Sequence, residues 1–170
     1  MEKNIPGSGG PLLEPRGSSA PAFLLAQVGA HAASRFAERL QPIGLSPAHA
    51  GILRILEAAP AITQQALASA LGSPPSRLVA LVDELESKGL IERQANETDR
   101  RRYALCLTAK GKSALHTIGS LVREHQNALL AALSEDERKQ LTALLMRIAE
   151  QQGLRKGVHP GYSQDRRDRA

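Results

Sequence analysis

Three consecutive arginines give the chain its densest positive charge. Arg100, Arg101 and Arg102 follow Asp99 in the stretch NETDRRRYALCL. The apolar run GLIER precedes this stretch and the alternating run YALCL ends it, so we predict two strands joined by a cationic hairpin loop. The narrow minor groove of DNA attracts inserted arginine side chains, and Asp99 could brace one guanidinium. A solvated, charge-rich turn is the alternative interpretation.

A second group of candidate residues precedes the hairpin. Two helical segments joined by GSPP predict a helix-turn-helix, with Ser73 as N-cap of the second helix and Pro74 in its first turn. Leu78, Leu81, Val82 and Leu85 recur at helical spacing and predict a buried face. We count Ser73, the predicted cap, among the candidate DNA-facing residues. The opposite face carries Ser76, Arg77, Ala80, Asp83 and Glu84.

Small residues beside an arginine suit a helix that enters a major groove. They permit close approach, and Arg77 can reach a guanine edge or a phosphate. Taken alone, the same pattern fits an ordinary amphipathic surface helix equally well.

Helix start and stop signals predict the elements around these candidates. Ser46, Thr63 and Thr108 are natural N-caps, and SEDE from Ser134 is a capping box. A first helix spans about 22–40, and the helix from Thr108 extends to about Leu133. We therefore predict a mainly α fold with a small β-hairpin wing, in which long helices flank a winged helix-turn-helix.

Composition sets broader limits. The 170 residues suit one domain, and the net charge of +5 weakly favours an acidic partner. Residues 1–20 predict a disordered leader, and 153–170 predict a flexible basic tail with five Lys or Arg against two acids. One cysteine excludes an internal disulfide framework and suits the cytoplasm. Neither a membrane span nor a signal peptide is expected.

The stretch LVDELESKGLIERQANETDRRRYALCLTAKGKSAL (81–115) strongly resembles the MarR family of winged helix-turn-helix regulators. The matching positions are Gly89, Glu92, Arg93, Asp99, Arg101, Leu107, Thr108 and Gly111. The resemblance implies a DNA-binding domain at 46–108, dimerisation helices at 21–45 and 109–152, and repression as the commoner mode. It places Arg101 in the minor groove with Asp99 orienting it, and Ser76, Arg77 and Ala80 in the major groove. Many members have Ser or Thr followed by Arg where this chain has Val79 and Ala80.

Long apolar stripes independently favour a homodimer, which by the DNA binding that the resemblance implies would recognise a near-palindromic operator in double-stranded DNA. They exceed what one small winged-helix core can cover. The stripes comprise Leu25, Val28, Ala32, Phe36 and Leu40, then Leu115, Ile118, Val122, Leu129 and Leu133, and finally Leu141, Leu144, Leu145 and Ile148.

The family resemblance also implies a small aromatic acid or phenol as effector. We place its site near His31, Arg35 and His49, although His49 in a first turn and Arg35 on a helix surface are equally ordinary positions. Cys106 is expected to be a buried thiol rather than a redox switch. We expect neither a metal site nor a cofactor, and no catalytic nucleophile is evident. A metal- or redox-sensing regulator and a winged-helix protein-interaction module remain as alternatives.

Overall fold

A computed structural model describes residues 20–95, 103–155 and 157–158. Residues 1–19, 96–102, 156 and 159–170 lie outside the described part, so most of the predicted leader and tail, and Asp99 with Arg100, Arg101 and Arg102, do so as well. The elements are α1 (Pro21–Leu40), a 3₁₀ turn (Gln41–Ile43), α2 (Pro47–Ala58), β1 (Ile62–Thr63), α3 (Gln64–Leu71), α4 (Pro75–Ser87), β2 (Ile91–Ala95), β3 (Tyr103–Leu107), α5 (Ala109–Leu129) and α6 (Glu135–Gln151).

The architecture confirms the predicted mainly α fold with a small β-hairpin wing. β2 and β3 pair antiparallel, from Ile91 opposite Leu107 to Ala95 opposite Tyr103. The sequence did not reveal β1, which pairs with β3 and completes the strand order β1-β3-β2. A strand of two residues is too short to show alternation, so only its long-range pairing defines it.

Short-range capping signals are confirmed at four helix starts. The side chains of Ser46, Thr63 and Thr108 each accept a hydrogen bond from the backbone three residues later. Ser134 and Glu137 form the predicted reciprocal capping box. The end of α5 was predicted about four residues too late, because the helix ends at Leu129 and residues 130–133 form the turn before α6.

The core lies among α2, α3, α4 and the sheet. Its fully buried side chains include Ile52, Leu53, Leu56, Leu67, Leu78, Val82, Leu85, Ile91 and Leu105. The predicted simple alternation of β3 was wrong, because Tyr103 is exposed and both Ala104 and Leu105 are buried. β3 is the middle strand, and α2, α3 and α5 all contact it, so both of its faces are partly covered.

Two parts of the chain leave apolar side chains exposed. Internal contacts divide the chain into residues 1–34 and 35–170. In the first part, the described stretch of α1 exposes Phe23, Leu24, Leu25 and Val28. In the second, α6 contains no buried residue and exposes Leu144, Leu145, Met146 and Ile148. Among the described residues, none of the helices combines the length and apolar character needed to cross a bilayer.

Candidate nucleic-acid interface

The exposed face of α4 is divided along its length. Leu78, Val82 and Leu85 are fully buried and fix the orientation of the helix. On the other side, the first half exposes Ser76, Arg77, Val79 and Ala80 and contains no acidic residue. This half is small, partly apolar and cationic, which suits approach to a polyanion.

The second half of α4 is acidic, and Arg93 of β2 binds two of its carboxylates. One guanidinium nitrogen lies 2.5 Å from Asp83 Oδ1, and another donates to Glu86. The hydrogen bond to Asp83 is the main reason that the pKa of Arg93 is raised. Arg93 therefore fixes α4 against the wing strand and partly neutralises charge that would repel DNA phosphates.

His49 connects α2 to the same half of α4. Its Nδ1 accepts a hydrogen bond from the backbone N–H of Ser46 at 3.2 Å, so the ring closes the first turn of α2. Its Nε2 lies 3.0 Å from Glu84 Oε2, close enough for an ion pair when the ring is protonated. Burial lowers the pKa of His49, and Glu84 partly opposes that shift.

The corner between α4 and β2 is joined closely to the start of α5. Gly89 turns the chain with a φ of +69°. The Thr108 hydroxyl donates to the Gly89 carbonyl at 2.7 Å and accepts from the Gly111 N–H at 3.0 Å. A Cβ at Gly111 would overlap the backbone carbonyl of Leu90. These signature residues therefore position α4, the wing and α5 as one unit.

Ser73 does not cap α4, contrary to the prediction. The helix begins at Pro75, and its N-cap is Pro74, which offers no side-chain acceptor. The backbone N–H of Ser73 instead donates to Ala68, completing the C-terminal turn of α3 after Gly72. The residue is only 7% exposed, so its side chain is not presented with those of Ser76, Arg77 and Ala80.

A segment after α6 returns to the helix-turn-helix. Arg155 donates to the Ser69 carbonyl at 2.5 Å and lies against Gly72. Arg54 of α2 donates to the carbonyl of Gly157, and Val158 packs against the core. At the start of the predicted tail, Arg155, Gly157 and Val158 therefore contact the helix-turn-helix, and Arg155 places a cation at the carbonyl end of α3, where a cation is favoured.

Arg35 and His49, two of the three residues predicted to hold an effector, have separate surroundings. Arg35 is exposed and pairs with Glu38 at 2.6 Å, while His49 is buried and engaged by Ser46 and Glu84. His31 is exposed on the stretch of α1 that belongs to residues 1–34. The described contacts thus give Arg35 and His49 structural partners, in agreement with the alternative interpretation that the sequence left open.

A cavity of about 240 Å³ lies elsewhere, beside the start of α5. Its lining combines apolar side chains with one cation and two hydroxyls. It comprises Ile43, Leu45, Leu90, Lys110, Ser113, Ala114 and Thr117. Lys110 is held beside the cavity by a 2.7 Å hydrogen bond from Nζ to the Lys88 carbonyl.

Cys106 is half-buried rather than fully buried, and its thiol lies 3.5 Å from Gln94 Oε1 on the neighbouring strand. Within residues 20–95, 103–155 and 157–158, no group of three His, Cys, Asp or Glu side chains is placed to hold a metal ion.

Sequence reasoning missed the residues that brace the interface. Arg93 was noted only as part of a motif, and its acidic partners lie seven and ten positions earlier. The Glu84–His49 and Arg155–Ser69 contacts join still more distant parts of the chain. A buried histidine with an exposed acid on another helix leaves no local pattern in a sequence.

The arrangement matches known DNA-binding regulators. Residues 43–102 match the model of the MarR family. A putative transcriptional regulatory protein for the hcr operon of Thauera aromatica is 40% identical over 108 residues, covering 64% of this chain and 65% of that protein. The regulator BilQ of Clostridium symbiosum is 34% identical over 91 residues, covering 54% of this chain and 63% of that protein. The chain thus spans just under two thirds of both relatives.

A solved structure agrees over a larger share. The transcriptional repressor CouR, bound to a 23-mer DNA duplex, is 32% identical, with a TM-score of 0.70 over 78% of this chain and 94% of that one. Members of the matched family are transcriptional regulators and not enzymes. From the signature positions, the fold and these likenesses together, the chain belongs to the MarR family of winged helix-turn-helix transcriptional regulators.

Proposed function

We propose that this protein is a ligand-responsive repressor that binds a near-palindromic operator as a homodimer. The observation that carries this proposal is the first half of α4, which is exposed, free of acidic residues and oriented by a fully buried opposite face. The bound duplex in the CouR structure supports the same use of the fold. Because its partner would be genomic DNA, we also propose a cytoplasmic location.

The wing supplies the second proposed contact. By the family pattern, Arg101 enters the minor groove and Asp99 orients it; we propose that the adjacent Arg100 and Arg102 also contact the DNA. The described strands end at Ala95 and Tyr103, which pair directly opposite each other. Arg93 joins β2 to α4, so the two paired strands that flank the wing arginines in the sequence are held beside the proposed recognition helix.

The proposed dimer rests on uncovered apolar surface. On α6, Leu144 is 53% exposed, Met146 is 58% exposed and Ile148 is 44% exposed. Neighbouring apolar side chains at this exposure favour association with another surface. A second copy of the chain is the simplest partner, since two-fold pairing presents two α4 helices to two half-sites.

For the effector, the cavity beside α5 replaces the site suggested by the sequence. Apolar walls with Lys110 and two hydroxyls suit a small aromatic acid or phenol. Lys110 also binds the carbonyl of Lys88, the residue that ends α4. A ligand that drew Lys110 away would alter the support of α4, and an effector that lowers DNA affinity must bind the DNA-bound form less tightly.

The test begins with selection of preferred duplexes from a randomised pool. Binding of the selected duplex is then followed by fluorescence anisotropy at fixed salt. We expect Arg77→Ala and Arg101→Ala each to weaken binding by roughly 1–3 kcal/mol. Arg147→Ala, which removes an exposed arginine on α6, is the matched control and should leave binding unchanged.

Two results would contradict the proposal. Failure to select any preferred duplex would favour the alternative of a protein-interaction module. Equal affinities for the wild type and both arginine variants would mean that α4 and the wing do not contact DNA. For the effector, Lys110→Ala should abolish thermal stabilisation by a salicylate-like probe, whereas persistent stabilisation would exclude the cavity.

A further inference from the structure

The groove-facing half of α4 exposes a residue that the fold does not use. Val79 is 41% exposed, while its neighbour Leu78 and the following Val82 are fully buried. Valine is less favourable than alanine or a long polar residue within an exposed helix. Its presence is therefore not explained by helix formation or by burial in the core.

The positions around Val79 define two distinct flanks. Side chains two residues apart on an α-helix point roughly 160° apart, so Val79 and Arg77 lie on opposite flanks of the exposed face. Ser76 and Ala80 lie between them and are small. On the flank of Val79, Asp83 and Glu86 follow one and two turns later and are bound by Arg93. Arg77 thus offers a cationic edge, and Val79 an apolar edge nearer the wing strand.

In a major groove, an apolar side chain such as that of Val79 finds one apolar substituent on the base edges, the methyl group of thymine. Thymine carries a C5-methyl, whereas guanine, cytosine and adenine present polar donors and acceptors at that edge. The small side chain of Ala80 allows the helix backbone to approach closely enough for Val79 to reach that methyl. Acidic groups begin only at Asp83, so they lie beyond the part of the helix that carries this edge.

We propose that Val79 determines operator specificity by packing against the 5-methyl group of a thymine, with Ala80 permitting the approach. The inference rests on the proposed function and adds that one position in each half-site must be a thymine. Arg77 on the opposite flank would contact a different base or a phosphate.

The experiment uses the full chain and the duplex that it selects from a randomised pool. Each thymine is replaced in turn by deoxyuridine, which lacks only the methyl group. We expect one replacement in each half-site to weaken wild-type binding about fourfold, the equivalent of one buried methylene. Val79→Ala should weaken binding to the thymine duplex by a similar factor and should abolish the effect of deoxyuridine.

Controls separate this inference from folding defects and from the proposed function. Val79→Thr replaces one γ-methyl by a hydroxyl of similar size, so it keeps the branched shape and should reduce the deoxyuridine effect. Glu57→Ala, at an exposed position of α2, should retain it. If no deoxyuridine replacement changes wild-type affinity, or if the effect persists unchanged in Val79→Ala and Val79→Thr, the inference is wrong while DNA binding stands. If no duplex is selected, the proposed function itself fails.

Discussion

The winged-helix core and helix α6 use apolar residues in opposite ways. Leu53 and Leu78 in the core are 0% exposed, whereas Leu144 and Met146 on α6 are 53% and 58% exposed. The core is completed within one chain, and its recognition elements are fixed by Arg93, His49 and Thr108. The apolar side chains of α6 are not covered within the chain, so its stability and position are expected to depend on a partner.

The strongest test of this contrast is Leu145→Asp on α6. Leu145 is 37% exposed, so the variant should keep the winged-helix core while placing a charge in the proposed interface. We expect a shift of the monomer–dimer equilibrium by about three orders of magnitude toward monomer, or about 4 kcal/mol. Sedimentation over a concentration series would measure it.

The polar position Gln140, exposed at the start of the same helix, provides the control. Gln140→Asp should leave the association constant nearly unchanged. A wild type that sediments as a monomer at micromolar concentration would contradict the proposed dimer, and so would a Leu145→Asp variant that associates like the wild type.

Gly111→Ala tests the packing of the winged-helix core, the region whose apolar residues are buried within one chain. A Cβ at this position would overlap the backbone carbonyl of Leu90, which cannot rotate away as a flexible side chain would. We expect a loss of about 3 kcal/mol in the free energy of unfolding, at the upper end of overpacking costs. Urea unfolding would measure this loss.

Gly119 on the same helix is a matched control. A Cβ there would lie 3.7 Å from an Arg123 guanidinium nitrogen, an ordinary contact. Gly119→Ala should therefore stabilise the protein by up to about 1 kcal/mol through helix propensity. If both alanine variants have the same effect, the junction between β2 and α5 is looser than the structure indicates.

Arg155→Ala tests whether the segment after α6 belongs to the completed core. The variant would remove the hydrogen bond to the Ser69 carbonyl and the cation at the end of α3. Because Arg155 is exposed, we expect a loss of only about 1 kcal/mol. Thermal unfolding would measure the loss, with Arg147→Ala as control. Equal melting temperatures for the two variants would show that the contact between Arg155 and Ser69 adds no stability.

How well the sequence predicts a feature of the structure depends on how far apart along the chain the interacting residues lie. Ser46, Thr63, Thr108 and Ser134 were identified correctly, because a cap acts on the backbone three residues later. Ser73 matched the same pattern, but the closing turn of α3 already engages its backbone. Its failure shows that a local signal is overridden when a preceding helix needs the same residue.

In the candidate site, too, local features were predicted from the sequence and long-range contacts were not. The exposed positions of α4 followed from helical periodicity, so Ser76, Arg77 and Ala80 were placed correctly on its outer face. The Arg155–Ser69 contact spans 86 positions, and β1 is defined only by pairing with β3. Neither produces a pattern within a helix or strand, so only the folded chain reveals them.

The smallest expected effect concerns pH and the contact between His49 and Glu84. Burial is the largest cause that lowers the pKa of His49 below its ordinary value of 6.5, Lys88 acts in the same direction, and Glu84 opposes both. The folded protein therefore binds fewer protons at this site than the unfolded chain. The corresponding stability is complete above about pH 6.5 and is lost as the pH falls toward the lowered pKa.

We accordingly expect the free energy of unfolding to decrease between pH 7.5 and pH 5 in urea titrations. His49→Asn should make this dependence shallower, because the new side chain does not titrate, whereas His116→Asn on the exposed face of α5 should retain the larger slope. Glu84→Gln should steepen the decrease, since it removes the group that favours the protonated ring. If the free energy of unfolding has the same pH dependence in the wild type and in His49→Asn, the connection between α2 and α4 does not depend on the charge of His49. The position of α4 would then be fixed by Arg93 and by its buried face.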